Sequence, residues 1–362
     1  MRALVGLAMC AACSGEGAAP APAGGTALGS YRVGSGPRAV TAADLDADGD
    51  LDLVTANADS GDATILWNDG RGGLAGGPPL AAGNQPSDVA AADLDGDGDI
   101  DLVFANHDTP LVTVLAGDGA GGFEPQPPID TGSRPHVHGL AVADFDGDGR
   151  ADVAVDSADD DTVRVLFGGA GGLAPVQAFP AGHLPYYRIG AGDVVGDPRP
   201  ELLAPAQRDE SIVILGAGRG AVRLAPAAAP VALDREPWMV RTADLDGDGP
   251  GDLAIILTDG VAVFLGAGDG AFRAAPGSPF PVPSATEVAT GDVDGDGVAD
   301  VAVGPWDGSD VHIFLGTSFA HLRQPAASRP IGLAIADLDG DGRGELIAAS
   351  TLDDVVVVAS LP

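Results

Sequence analysis

The chain has 362 residues, including 55 Gly and 29 Pro, with 45% hydrophobic residues and only 4% aromatics. That apolar content supplies a sizeable core and excludes wholesale disorder, while the Gly and Pro suggest many short elements joined by tight turns. A formal charge of −35 excludes nucleic acid as a partner, because its phosphates would be repelled.

In chain order, residues 1–13 read as an export leader. Arg2 gives a small positive start, Ala3 to Ala12 a short apolar stretch, and Cys13 follows two alanines. Ala11-Ala12-Cys13-Ser14 resembles a bacterial lipobox, although Cys10 stands where Leu is usual. The resemblance implies a lipidated Cys13 and a cell-envelope location, in the outer membrane or at the surface. The membrane would then be a partner only through that anchor; ordinary secretion is the alternative. Both cysteines belong to this segment, so the domain that follows has no disulfide and no thiol for metal binding or catalysis. Residues 14–27, rich in Gly, Ala and Pro, read as a flexible tether. No later stretch approaches the ~20 apolar residues of a membrane helix.

Residues 28–361 are repetitive. A nine-residue acidic frame, clearest in Asp93-Leu-Asp95-Gly-Asp97-Gly98-Asp99-Ile-Asp101, starts at Asp44, Asp93, Asp144, Asp193, Asp244, Asp292 and Asp337. Seven units of roughly fifty residues predict an all-β fold, a seven-bladed β-propeller of four-stranded antiparallel blades. In the second unit, small residues from Val89 lead into the acidic loop as the inner strand. Leu102–Ala105 and Val112–Leu115 follow as the second and third strands, then a Gly-rich turn and a weaker fourth. Tyr31, Gly34 and Pro37 match the end of such a unit but precede the first one, whereas the last unit stops after its third strand, Val355–Val358. The N-terminal segment is therefore expected to complete the last blade and close the ring.

The frame Asp-x-Asp-x-Asp-Gly-x-x-Asp has the chemistry of a hard-cation site. It offers carboxylates at positions 1, 3, 5 and 9, a backbone carbonyl at position 7, and a Gly for the sharp turn. Plain Asp-Gly turns are the alternative, but so many carboxylates in one loop repel without a cation. The pattern resembles the FG-GAP/VCBS repeat family, which includes the propeller head of integrin α chains. The resemblance implies structural Ca2+ in about six loops. The ligands would be Asp44, Asp46, Asp48 and Asp52; Asp93, Asp95, Asp97 and Asp101; and Asp144, Asp146, Asp148 and Asp152. Asp244, Asp246, Asp248 and Asp252, then Asp292, Asp294, Asp296 and Asp300, and last Asp337, Asp339, Asp341 and Glu345 complete the set. The fourth unit departs, with Val195 for the second ligand and Pro198 for the turn Gly, and no calcium is expected there.

The loops expected on the opposite face differ from repeat to repeat, as a ligand site requires. Those leading into the inner strands carry Arg38, His136, His138, Tyr186, Tyr187, Arg188, Trp238, Arg241 and Glu287; companion loops add His107 and Trp306. Exposed aromatics beside carboxylates and guanidinium groups suit sugar rings or peptide side chains. Alternatively, Trp238 and the tyrosines fill the central channel. No zinc-protease pair, nucleophile elbow or nucleotide loop is present, so no catalytic residue is assigned; His136 and His138 are the best local candidates for a second metal or a general base. The expected protein is a monomeric, calcium-binding, exported or surface-anchored propeller for recognition or adhesion, not an enzyme, with an extracellular glycan or protein as ligand. A carbohydrate-active enzyme such as a polysaccharide lyase, or a structural module with no ligand of its own, are the alternatives.

Overall fold

The computed structural model describes residues 29–361 except 158–159, 170, 198 and 219–222. The leader, the tether, Cys13 and Pro198 lie outside the described residues. The second strand of every unit explains the architecture: Asp52–Asn57, Asp101–Asn106, Asp152–Ser157, Glu201–Ala206, Asp252–Leu257, Asp300–Pro305 and Glu345–Ser350 are buried at every position. A strand covered on both faces reads as a continuous apolar run rather than an alternation, and successive side chains still point to opposite sides. Leu102 and Phe104 accordingly join the core shared with the first blade, while Val103 and Ala105 join the core shared with the third.

Seven such cores, one between each pair of neighbouring blades, close the ring. The second blade shows the plan: inner strand Pro86–Ala92, then Asp101–Asn106, Leu111–Gly117 and an outer edge, all antiparallel. The other inner strands are Pro37–Ala43, Leu140–Ala143, Gly190–Gly192, Pro237–Ala243, Ala285–Gly291 and Pro330–Ala336. Small residues are required where these crowd the axis: a Cβ on Gly332 would lie 3.0 Å from the Ala39 Cα of the next blade.

The outer edge is less regular than expected. In four blades it is split into two short pieces that both pair with the third strand, as Phe123–Pro125 and Ile129–Asp130 do in the second. Pro127 and Pro128 interrupt it there, because proline has no N–H for a ladder. The ring closes as the sequence implies: Gly29–Arg32 pairs with Val355–Ala359, Gly29 opposite Val358 and Arg32 opposite Val355. The hydroxyl of Ser35 and the amide of Gly36 add bonds to the Asp354 carboxylate. Among the described residues, no helix is long and apolar enough to cross a membrane.

Candidate ligand face and acidic loops

The acidic loops connect the inner and second strands. Asp93 at position 1 accepts the amides of Gly96 and Gly98 at 2.7 and 3.0 Å, and Asp97 at position 5 accepts that of Asp99 at 2.9 Å. Gly98 has φ near +98°, the left-handed region that glycine tolerates. The result is a cup of carboxylates: one oxygen each from Asp44, Asp46 and Asp48 lies within 4.8 Å of the others, as in the sets Asp93/Asp95/Asp101, Asp144/Asp146/Asp152 and Asp244/Asp246/Asp248. In the first loop Oδ1 of Asp44 and Oδ1 of Asp46 are buried with no hydrogen-bond partner. Burial and neighbouring carboxylates hold Asp46, Asp95 and Asp146 above the usual carboxylate range. Orphaned, mutually repelling oxygens on a glycine turn fit a hard divalent cation.

The ninth position has a structural role that sequence reasoning missed. Asp252 accepts the amide of Leu245 at 2.8 Å with one oxygen and that of Gly266 at 2.7 Å with the other, pinning the acidic loop to the third strand. Asp52, Asp101, Asp152 and Asp300 repeat this pair of bonds. Glu201 and Glu345 accept the matching loop amides of Val194 and Leu338. Burial dominates their titration, raising Asp52, Asp252 and Asp300 to about 6 and Asp152, Glu201 and Glu345 to about 7. The readable signal was a carboxylate kept at position 9 of the fourth unit, where the rest of the frame decays.

That fourth loop carries its own cation. Arg199 forks onto Asp197 with bonds of 3.2 and 3.0 Å, and the pair draws the Asp197 carboxyl below its usual range. Val195, in place of a ligand, packs against the core between the fourth and fifth blades.

The loops also join the blades. The Gly-rich turns before the outer edges share their face: Gly72 donates to the Leu338 carbonyl, Gly270 to Val194 and Thr317 to Leu245, each a loop of the preceding blade. Between the loops opens a central channel of about 670 Å³. Arg188, Arg241, Asp88 and Glu287 line it. Arg188, only 4% exposed, donates to Asp88 at 2.7 Å and to the carbonyls of Arg38 and Ser87, and its Nε is 3.4 Å from Glu287. Burial pushes the Glu287 carboxyl up to about 7 against the pull of Arg188 and Arg241. Arg188 and Glu287, expected on a ligand face, are thus buried in a network that ties blades 1, 2, 4 and 6 across the axis. Arg241, half-buried, donates to the Ile189 carbonyl.

The remaining candidates gather on the opposite face. Tyr187, Trp238 and Trp306, with Thr258, Ser284 and Thr286, line a cavity of about 280 Å³. Trp306 is exposed and the Arg329 guanidinium lies 4.3 Å above its ring, while the Trp238 Nε1 is buried without a partner. Tyr186 and Tyr187 each meet Trp238 edge-on, at 6.1 and 6.2 Å between centroids. Beside them Tyr186 packs on His138 at 4.4 Å, and His138 joins His136 and His107. Burial lowers His107 below the usual histidine range.

Ring, blades and loops define the class: an all-β seven-bladed propeller, a scaffold suited to ligand-binding and structural modules. The chain carries FG-GAP-like repeats, that description matching residues 44–104, 93–155 and 244–303. Comparison with curated protein sequences gives no match. Solved structures share the fold over most of the chain. BBS1N in complex with ARL6DN aligns at TM-score 0.63 and 13% identity, covering 92% of this chain and 94% of its own. A lectin from Agrocybe aegerita, solved for recognition of non-reducing terminal N-acetylglucosamine, aligns at 0.55 and 18%, covering 82% and 81%. A candidate 6-phosphogluconolactonase from Bacteroides uniformis aligns at 0.59 and 14%, covering 91% of each. At such identities the likeness is one of fold alone.

Proposed function

We propose that this protein is a non-enzymatic recognition propeller that seats a sugar ring between Tyr187, Trp238 and Trp306, on a scaffold stabilised by calcium in six acidic loops. One observation carries the reading: the aromatic-walled cavity of about 280 Å³ lies on the face where the repeats differ. Flat apolar walls suit the C–H face of a sugar, and Thr258, Ser284 and Thr286 in the lining offer polar groups to orient it. The orphaned oxygens of Asp44 and Asp46 support calcium in the loops. Such modules bind calcium with a Kd of ~10⁻⁴ to 10⁻³ M, which suits an exported protein and the leader-like start of the chain.

The test is glycan-array binding by the protein in calcium, alongside Trp306→Ala, chosen because this ring is 42% exposed. The expected result is a bound glycan whose affinity falls at least roughly tenfold in the variant, the scale of one lost aromatic anchor. A folded protein that binds no glycan, or binds it equally well without Trp306, sinks the sugar reading and moves the search to protein ligands.

A further inference from the structure

We propose that His107, His136 and His138 form a binding site for a divalent transition ion, zinc in the first place, distinct from the acidic loops. His107 belongs to the loop after the second strand of blade 2, and His136 and His138 to the loop leading into blade 3. One ring nitrogen from each lies within 4.8 Å of the other two. His136 Nδ1 and His107 Nε2 are 3.3 Å apart. Two ligands on a tetrahedral zinc, each at 2.0–2.1 Å, sit at about that separation, roughly 3.3 Å.

The outer contacts match a metal site as well. His138 holds Asp156 through Nδ1 at 3.2 Å, and His107 holds Asp108 through Nδ1 at 3.0 Å. Each carboxylate fixes the tautomer that leaves Nε2 with its lone pair free, the arrangement found behind metal-bound histidines. Asp156 is itself held by the backbone amides of His138 and Gly139, so the His138 ring is firmly oriented. His136 keeps φ at +96°, rare for a residue with a side chain, and its amide donates to the His107 carbonyl at 2.7 Å. That bond locks the two loops together and holds the rings edge to face, 4.7 Å between centroids.

The donor set decides the ion. Three imidazole nitrogens suit zinc and its neighbours, whereas calcium takes oxygen, so the two kinds of site would not compete. Three protein ligands leave a fourth position for water or for an oxygen of a bound molecule. The assignment does not depend on the sugar reading.

The experiment titrates Zn2+, and Co2+ as a coloured substitute, into the full chain in excess calcium so that the acidic loops are filled. One zinc per chain is expected, with cobalt showing the intense visible bands of a tetrahedral site. His107→Gln and His136→Ala should each abolish those bands and weaken zinc binding at least roughly 100-fold. Asp108→Asn, an exposed change, should weaken it about tenfold, as the loss of an outer partner does. Thermal melts in calcium confirm that each variant is folded. Absence of stoichiometric zinc, weak octahedral cobalt spectra, or equal binding by parent and His136→Ala would each overturn the proposal.

Discussion

The acidic loops of the second and fourth blades share one backbone plan and manage negative charge in different ways. In the second, Asp93, Asp95, Asp97 and Asp101 share one loop, and among the described residues no arginine is seen bonded to them. In the fourth, Val195 has joined the core and Arg199 neutralises Asp197 from inside the loop. Both keep the buried carboxylate at position 9, Asp101 and Glu201, bonded to the amide of the loop's second residue. Pinning the loop and gathering charge are therefore separable: the first survives in all seven blades, and the second is dispensable where an arginine stands in.

The strongest way to break this comparison is chelation. With calcium at ten times its Kd, each filled loop contributes about 1.4 kcal/mol, or about 8 kcal/mol for six. EDTA should lower Tm by on the order of 10 °C or more, and calcium titration should give six ions per chain. Coincident melts with and without calcium would mean that the carboxylates are only turns.

Removing the pin has a smaller effect. Asp252→Ala and Glu201→Ala each strand buried amides and should cost about 2–3 kcal/mol in urea unfolding. The Glu201→Ala loss should be the same in calcium and EDTA, whereas the Asp252→Ala loss should be larger in calcium. Equal calcium sensitivity of the two would erase the distinction between the loops.

A third effect is in pH. Six of the pins hold their proton more tightly folded than unfolded, with values of about 6 to 7 against model-peptide values near 4. Their contribution is fully present below the unfolded value and is lost as pH rises through the folded one. In EDTA the urea midpoint should fall between about pH 5 and pH 8, and excess calcium should flatten the decline by favouring the ionised form. A midpoint that rises over this window in EDTA would show that the pins are ionised in the folded chain.

The repeat, the closing strand and the small residues of the inner strands were legible in the sequence because each depends on local composition at a fixed period. The placement of side chains across the ring was not. Arg188 and Glu287 read as surface groups, since charge usually means exposure, yet Arg188 meets both Asp88 and Glu287 over the axis. His107 was visible in its own loop, but only the stacking of neighbouring blades sets it against His136, 29 residues further on. The double bond-accepting of Asp252 was hidden because the ligand pattern already accounted for an acidic residue there.

The seam between Gly29–Arg32 and Val355–Ala359 has a kinetic meaning. Six blades can assemble from hairpins whose strands are neighbours in the chain, while the seventh joins residues such as Ser35 and Asp354, 319 positions apart. Closing a loop that long rather than one of about fifty residues costs only about 1.6 kcal/mol more in chain entropy, but the search is slow. The last blade is therefore where folding is expected to finish and where an otherwise intact ring is expected to open first.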